Sequence, residues 1–118
     1  MTVEVIATER FDEWMATLTQ RERKDVLHSL HLLQELGVQL AYPHSSAIKG
    51  SRHALRELRP KQGNSPLRPI YAFDPRRKAV LLTGGDKGAD KAMYARIIPE
   101  AEAVWEQHLK DLEEDVSE

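Results

Sequence analysis

The residues with the chemistry to act on another molecule gather between Leu55 and Tyr94, in LRELRPKQGNSPLRPIYAFDPRRKAVLLTGGDKGADKAMY. Residues 44–96 carry 12 Lys and Arg against 4 Asp and Glu, although the net charge of the whole chain is −2. The flanking segments are acidic, with 4 basic against 7 acidic residues in 1–43 and 1 against 8 in 97–118. Such a block concentrates phosphate-attracting potential on one surface even in a slightly acidic protein; the alternative is a basic face that is merely solvated. Pleating of Leu55–Arg59 puts Glu57 and Arg59 on one face and Arg56 and Leu58 on the other. The same alternation in Leu67–Phe73 groups Arg68 with Ile70 and Ala72.

Several other chemistries fail on spacing or composition. With no cysteine in 118 residues there is no disulfide, thiolate metal site or cysteine nucleophile. Gly84-Gly85-Asp86-Lys87-Gly88 has neither the spacing nor the helix-starting Ser or Thr of a nucleotide-binding P-loop. Its glycines are expected to let the chain leave the sheet sharply, returning Lys87 and Lys91 over its face. His28 and His31 have the spacing of a metal pair on a helix, but no third ligand follows and they project with Lys24 and Glu35; solvated histidines are the expectation. No metal site or cofactor is expected.

Positioning this stretch requires helices and strands from the rest of the chain. Length and 41% apolar content suit one domain, placed at residues 1–112, with an acidic and frayed tail at Glu113–Glu118. Thr2–Ala7 alternates well enough for a short strand. Thr8 then caps a helix over Glu9–Leu18 whose core stripe is Phe11, Trp14, Met15 and Leu18. Thr19-Gln20-Arg21-Glu22 is a capping box, opening a second helix with Val26, Leu27, Leu30, Leu33 and Leu36 and ending at Gly37. Val38–Arg52 reads as an irregular connection. Three strands follow, at Leu55–Arg59, Leu67–Phe73 and Ala79–Thr83, with Pro69 marking an edge position or a bulge. Asp90 caps a closing helix that Pro99 kinks or restarts. The fold class is therefore α+β: an N-terminal αα-hairpin packed on one face of a three- or four-stranded, antiparallel-rich sheet, with a C-terminal helix. No run approaches the roughly 20 apolar residues of a membrane span, and the opening lacks a signal peptide's pattern. A soluble cytoplasmic protein is expected.

The order of strand, two helices, Leu-Arg-Glu-Leu-Arg strand, Arg68-x-x-Tyr71 strand, Val80-Leu81-Leu82 strand, Gly-x-x-Lys turn and closing helix resembles the RelE/ParE superfamily of toxins. It looks most like the HigB-like, phage-derived branch, over about residues 3–112. The resemblance implies a RelE-like fold and the toxin of a type II toxin–antitoxin system. Such a toxin would be a metal-independent endoribonuclease that cleaves mRNA, usually on the ribosome. It would be silenced by a cognate antitoxin, expected to be a small helix-turn-helix protein, and would meet operator DNA only through that antitoxin. By position, Arg59 and Arg68 match the family's phosphate-facing strand residues, Lys87 the basic residue after the last strand, and Tyr94 a tyrosine near the closing helix of some members.

Metal-free cleavage uses the 2′-hydroxyl as nucleophile. The site must deprotonate it, stabilise charge on phosphorus and protonate the departing 5′-oxygen. Arg68 and Arg59 are expected on phosphate, Lys87 as electrostatic stabiliser or acid, and Glu57 or Tyr94 as proton acceptor. Arg56, Lys61 and Lys91 are expected to add RNA contacts. The competing roles are a cross-strand ion pair for Glu57 and a helix-face core position for Tyr94. Two other functions share this fold: a ParE-like gyrase inhibitor without catalysis, and a module that only binds an antitoxin and modulates its grip on operator DNA.

Overall fold

The computed structural model describes residues 2–116. Strand β1 (Val5–Ala7) leads into helices α1 (Glu9–Ala16) and α2 (Gln20–Leu36), then come β2 (Ser45–Ala47), β3 (Arg56–Leu58), β4 (Leu67–Phe73), β5 (Ala79–Asp86) and α3 (Met93–Val116). The strands form one sheet in the order β1-β5-β4-β3-β2; only the β1–β5 pairing is parallel. The sheet thus has five strands rather than three or four. The extra one is β2, inside the connection expected to be irregular.

The helix starts follow from their caps. The Thr8 hydroxyl accepts from the Phe11 N–H at 3.3 Å, and the capping box forms in both directions, Glu22 N–H to Thr19 Oγ1 at 3.2 Å and Thr19 N–H to Glu22 Oε1 at 2.8 Å. Gly37 ends α2 at φ 57°. Phe11, Trp14, Val26 and Leu33 pack with Leu58, Leu67, Tyr71 and Leu81 to form the core on one face of the sheet. Leu27 and Leu36, assigned to this stripe by spacing, stay exposed, and the buried Ser29 lies in α2 between them. On the opposite face α3 lays Ala101 and Trp105 against Leu55, Ile70, Ala72, Val80 and Leu82. Pro99 lies inside α3 without dividing it, and the helix runs on through Glu113–Val116 instead of fraying there; Ser117 and Glu118 lie outside the described residues.

Strand β5 runs beyond Thr83 to Asp86, so Gly84 and Gly85 belong to the sheet and not to a turn. A Cβ on Gly84 would lie 2.4 Å from the Trp14 ring, and one on Gly85 2.6 Å from Met93 Sδ. The glycines let a helix on each face approach the strand. Between Ile70↔Thr83 and Tyr71↔Leu81 the register shifts, leaving Leu82 as an extra residue of β5. Pro69 sits one residue from this bulge, opposite Gly84, and the β3–β4 pairing stops at Glu57↔Ile70, just short of it. No ladder bond is asked of it there on the β3 side.

The β4–β5 turn is held by Asp74. Its buried carboxylate accepts from Arg76 (2.8 and 3.1 Å), from the backbone N–H groups of Arg76 and Lys78, and from His108 of α3 at 3.1 Å. Burial alone would raise its pKa, but these donors together hold it below the ordinary carboxylate value. With the folded pKa depressed, its contribution is present above the unfolded pKa near 4 and is lost as pH falls below it. Asp74→Asn should therefore lower the urea midpoint at pH 7 and narrow the gap between wild type and variant at pH 3. An equal gap at both pH values would contradict this.

Candidate functional site

Strand β3 supplies Glu57, the residue that follows the strand is Arg59, and the first turn of α3 supplies Tyr94. The Tyr94 hydroxyl donates to Glu57 Oε1 at 2.5 Å, Ser46 Oγ of β2 donates to Glu57 Oε2 at 3.0 Å, and Arg59 Nη1 stands 4.0 Å from the same oxygen. Glu57 is only 6% exposed, so these groups replace the water a carboxylate would otherwise keep. Burial first, then the Glu57 hydrogen bond and charge, push the Tyr94 hydroxyl up to about 12, against the opposing Arg68. Tyr94 therefore keeps its proton at neutral pH, and the carboxylate is the acceptor of the pair.

Glu57 and Tyr94 open onto a recess of about 350 Å³ whose other walls are Ala47, Ile48 and Lys49. The connection that provides this wall is tied down on α3. Glu102 accepts from Ser51 Oγ and from the Arg52 N–H, and Glu106 accepts from Arg52 and pairs with His53. These donors hold the pKa of both carboxyls below the ordinary range.

Arg59 is wedged in place. Its guanidinium lies 4.8 Å over the Tyr42 ring, Nε donates to the Pro43 carbonyl at 3.2 Å, and a Cβ on Gly63 would meet Nη2 at 2.5 Å. Gly63, at φ 92°, follows Lys61 and Gln62, which are themselves left-handed at φ 55° and 56°. Three consecutive left-handed residues make a turn that only specific local contacts sustain.

Arg68 departs from a guanidinium open to phosphate. It is 3% exposed, and Nη1 donates to the Ser65 and Leu67 carbonyls at 2.6 and 2.7 Å, with Nη2 reaching the Gly63 carbonyl at 3.5 Å. Its Nε is buried without a hydrogen-bond partner among the described residues. The side chain shares the face of Ile70 and Ala72 as pleating requires, but its donors brace the 60–66 turn, and its charge acts on the Tyr94 hydroxyl.

The remaining basic residues divide. Lys87 and Lys91 are exposed beyond the end of β5, and the Lys87 N–H donates to the Pro66 carbonyl at 2.8 Å, joining the β5–α3 connection to the same turn. Arg56 lies on the other face of the sheet, where Nε donates to Ser45 Oγ and Tyr71 Oη at 3.1 and 3.3 Å. Lys61 points to Asp25 of α2 at 3.8 Å. Neither joins the Glu57 cluster. His28 and His31 are exposed. Sequence reasoning missed Tyr42, Ser46 and Lys49. The Ser45-Ser46-Ala47-Ile48 run, following Tyr42-Pro43, is the only local sign that a short strand lies there.

The family model described as Phage derived protein Gp49-like (DUF891) matches residues 13–106. The chain is 35% identical over 109 residues to HigB2 of Mycobacterium tuberculosis, named as a candidate toxin; the match covers 90% of this chain and 54% of that protein. The chain thus spans about half the length of that relative. It is 34% identical over 100 residues to HigB3 of the same organism, also named as a candidate toxin, covering 83% of this chain and 86% of the relative. Among solved structures, the RelBE2 toxin–antitoxin complex of Mycobacterium tuberculosis contains a chain that superposes with a TM-score of 0.58 at 14% identity, covering 73% of this chain and 99% of its own, a likeness of fold. The chain has a RelE-like fold and HigB proteins among its relatives, and it belongs to the phage-derived Gp49-like family.

Proposed function

We propose that this protein is the toxin of a type II toxin–antitoxin pair and that it cleaves mRNA as a metal-independent endoribonuclease, acting on the ribosome. The observation that carries this is the buried Glu57 carboxylate, held by Tyr94 at 2.5 Å and Ser46 at 3.0 Å beside the Arg59 guanidinium, in the lining of a recess. Glu57 accepts the proton of the 2′-hydroxyl as that oxygen attacks phosphorus. Arg59 offsets the charge that develops on the phosphate, helped by the exposed Lys87. Lys87 can also deliver the proton to the departing 5′-oxygen, and Lys91 extends the basic approach. Arg68 acts from within as a positioning residue, fixing the 60–66 turn and biasing Tyr94.

A basic site that is active when free needs a partner that blocks it or supplies complementary charge, and one structural neighbour of this fold, RelBE2, is a toxin–antitoxin complex. A cognate antitoxin, a small helix-turn-helix protein, is the partner this predicts, with operator DNA reached only through it. Expression of the chain alone should arrest growth, and co-expression of the small protein encoded beside it should restore growth and co-purify. Harmless expression alone, with no co-purifying neighbour, would overturn the toxin assignment.

A further inference from the structure

Tyr42 is 72% exposed, yet it is not a loose surface side chain. One face of its ring carries the Arg59 guanidinium at 4.8 Å, and that guanidinium is itself fixed by the Pro43 carbonyl and by the turn at Gly63. With Arg59 on one side, an exposure of 72% leaves most of the remaining ring surface to solvent. The same Arg59 stands 4.0 Å from the Glu57 carboxylate, so a single guanidinium separates the exposed ring from the proton acceptor. A rigid aromatic beside a held arginine meets the two needs of single-stranded RNA, a flat apolar surface for a base and a cation for its phosphate.

We propose that the open face of Tyr42 is a stacking platform for a nucleobase next to the cleaved bond, placing that nucleotide's phosphate at Arg59 and the reacting 2′-hydroxyl at Glu57. Stacking reads no base edge, so the platform aligns RNA with little base preference of its own. The inference rests on the nuclease reading and adds to it the element that fixes the register of the substrate. It also accounts for the wedge around Arg59: a guanidinium sandwiched between ring and turn is already oriented when RNA arrives, so less freedom is lost on binding.

The test begins by mapping where wild-type protein cleaves a short single-stranded RNA, free and on a programmed ribosome. Binding is then measured on RNAs with a 2′-deoxy sugar at that position, either intact or abasic at one flanking nucleotide. Tyr42→Ala should weaken binding of the intact RNA by roughly 5- to 150-fold, the range of one lost base stack, and raise KM with a smaller change in kcat. Tyr42→Trp should restore binding. On RNA abasic at the stacked nucleotide, wild type and Tyr42→Ala should bind alike. An equal loss on intact and abasic RNA would show that Tyr42 acts only by holding Arg59, and would overturn the platform. Unchanged RNA binding with a lost antitoxin contact would reassign the ring to the protein partner and overturn it as well. If wild type cleaves no RNA in either setting, the nuclease reading itself falls, a result distinct from a cleaving enzyme indifferent to Tyr42.

Discussion

Glu57→Gln is expected to reduce RNA cleavage by about 10²- to 10⁴-fold, the usual range for loss of a positioned general base. The amide keeps the shape of the carboxylate and can still accept from Tyr94, so the recess and the sheet should survive. What it loses is the ability to take a proton. Tyr94→Phe makes the useful contrast. The tyrosine holds its own proton at neutral pH, pushed up to about 12 chiefly by burial, and so it orients Glu57 without replacing it. Its loss removes one hydrogen bond to a charged group, worth about 1.5–3 kcal/mol, or roughly 10- to 150-fold. A steady-state comparison of the two variants on one mapped RNA checks this order. A Tyr94→Phe protein more damaged than Glu57→Gln would reverse the roles assigned to the pair.

Trp14→Ala should act on the fold and not on the chemistry. The indole is 7% exposed, lies 5.7 Å from the Phe11 ring and rests against Gly84, where any side chain would collide with it. Emptying such a site typically costs about 3–5 kcal/mol. In a domain near this size that is a fall in melting temperature of roughly 10 °C or more, visible by circular dichroism. The reciprocal change, Gly84→Ala, should also destabilise, because a methyl 2.4 Å from the ring forces the indole or the strand to move. Neither residue approaches Glu57, so the folded fraction of each variant should cleave at the wild-type rate. A Trp14→Ala protein with unchanged melting would show that α1 is not packed on β5 as described.

What sequence could reveal follows from where each signal resides. Thr8, the Thr19–Glu22 box and Gly37 act within one turn of themselves, so the starts of α1 and α2 and the end of α2 are legible locally. Alternation in Leu67–Phe73 is likewise local and marks β4, including the face that Arg68 takes. Gly84 and Gly85 mislead because glycine usually punctuates a turn; here they stay in β5 to admit Trp14 on one face and Met93 on the other, a demand made by helices distant in sequence. The three residues of β2 are too few for alternation to register, and that strand carries Ser46 to Glu57. The pleat does place Glu57 and Arg59 together. It cannot foresee that Tyr94, 37 positions away, closes the pair, nor that Arg68 spends its donors on backbone carbonyls. Arg56 and Lys61 have suitable chemistry, but one faces the other side of the sheet and the other turns to α2.

Metal-free cleavage by 2′-hydroxyl attack at the Glu57 cluster would leave its signature in the chemistry of the RNA ends. The most direct measurement is the mapping of RNA 5′ ends, with their chemical form, after brief expression of wild type and of Glu57→Gln, repeated with purified proteins in excess EDTA. Attack by the 2′-oxygen expels the 5′-oxygen, so wild type should create new internal ends bearing a 5′-hydroxyl that persist in EDTA, and a folded Glu57→Gln protein should create almost none. The same ends at equal frequency in both proteins would remove Glu57 from the chemistry, and new ends bearing 5′-phosphate that vanish with EDTA would rule out metal-free 2′-hydroxyl attack.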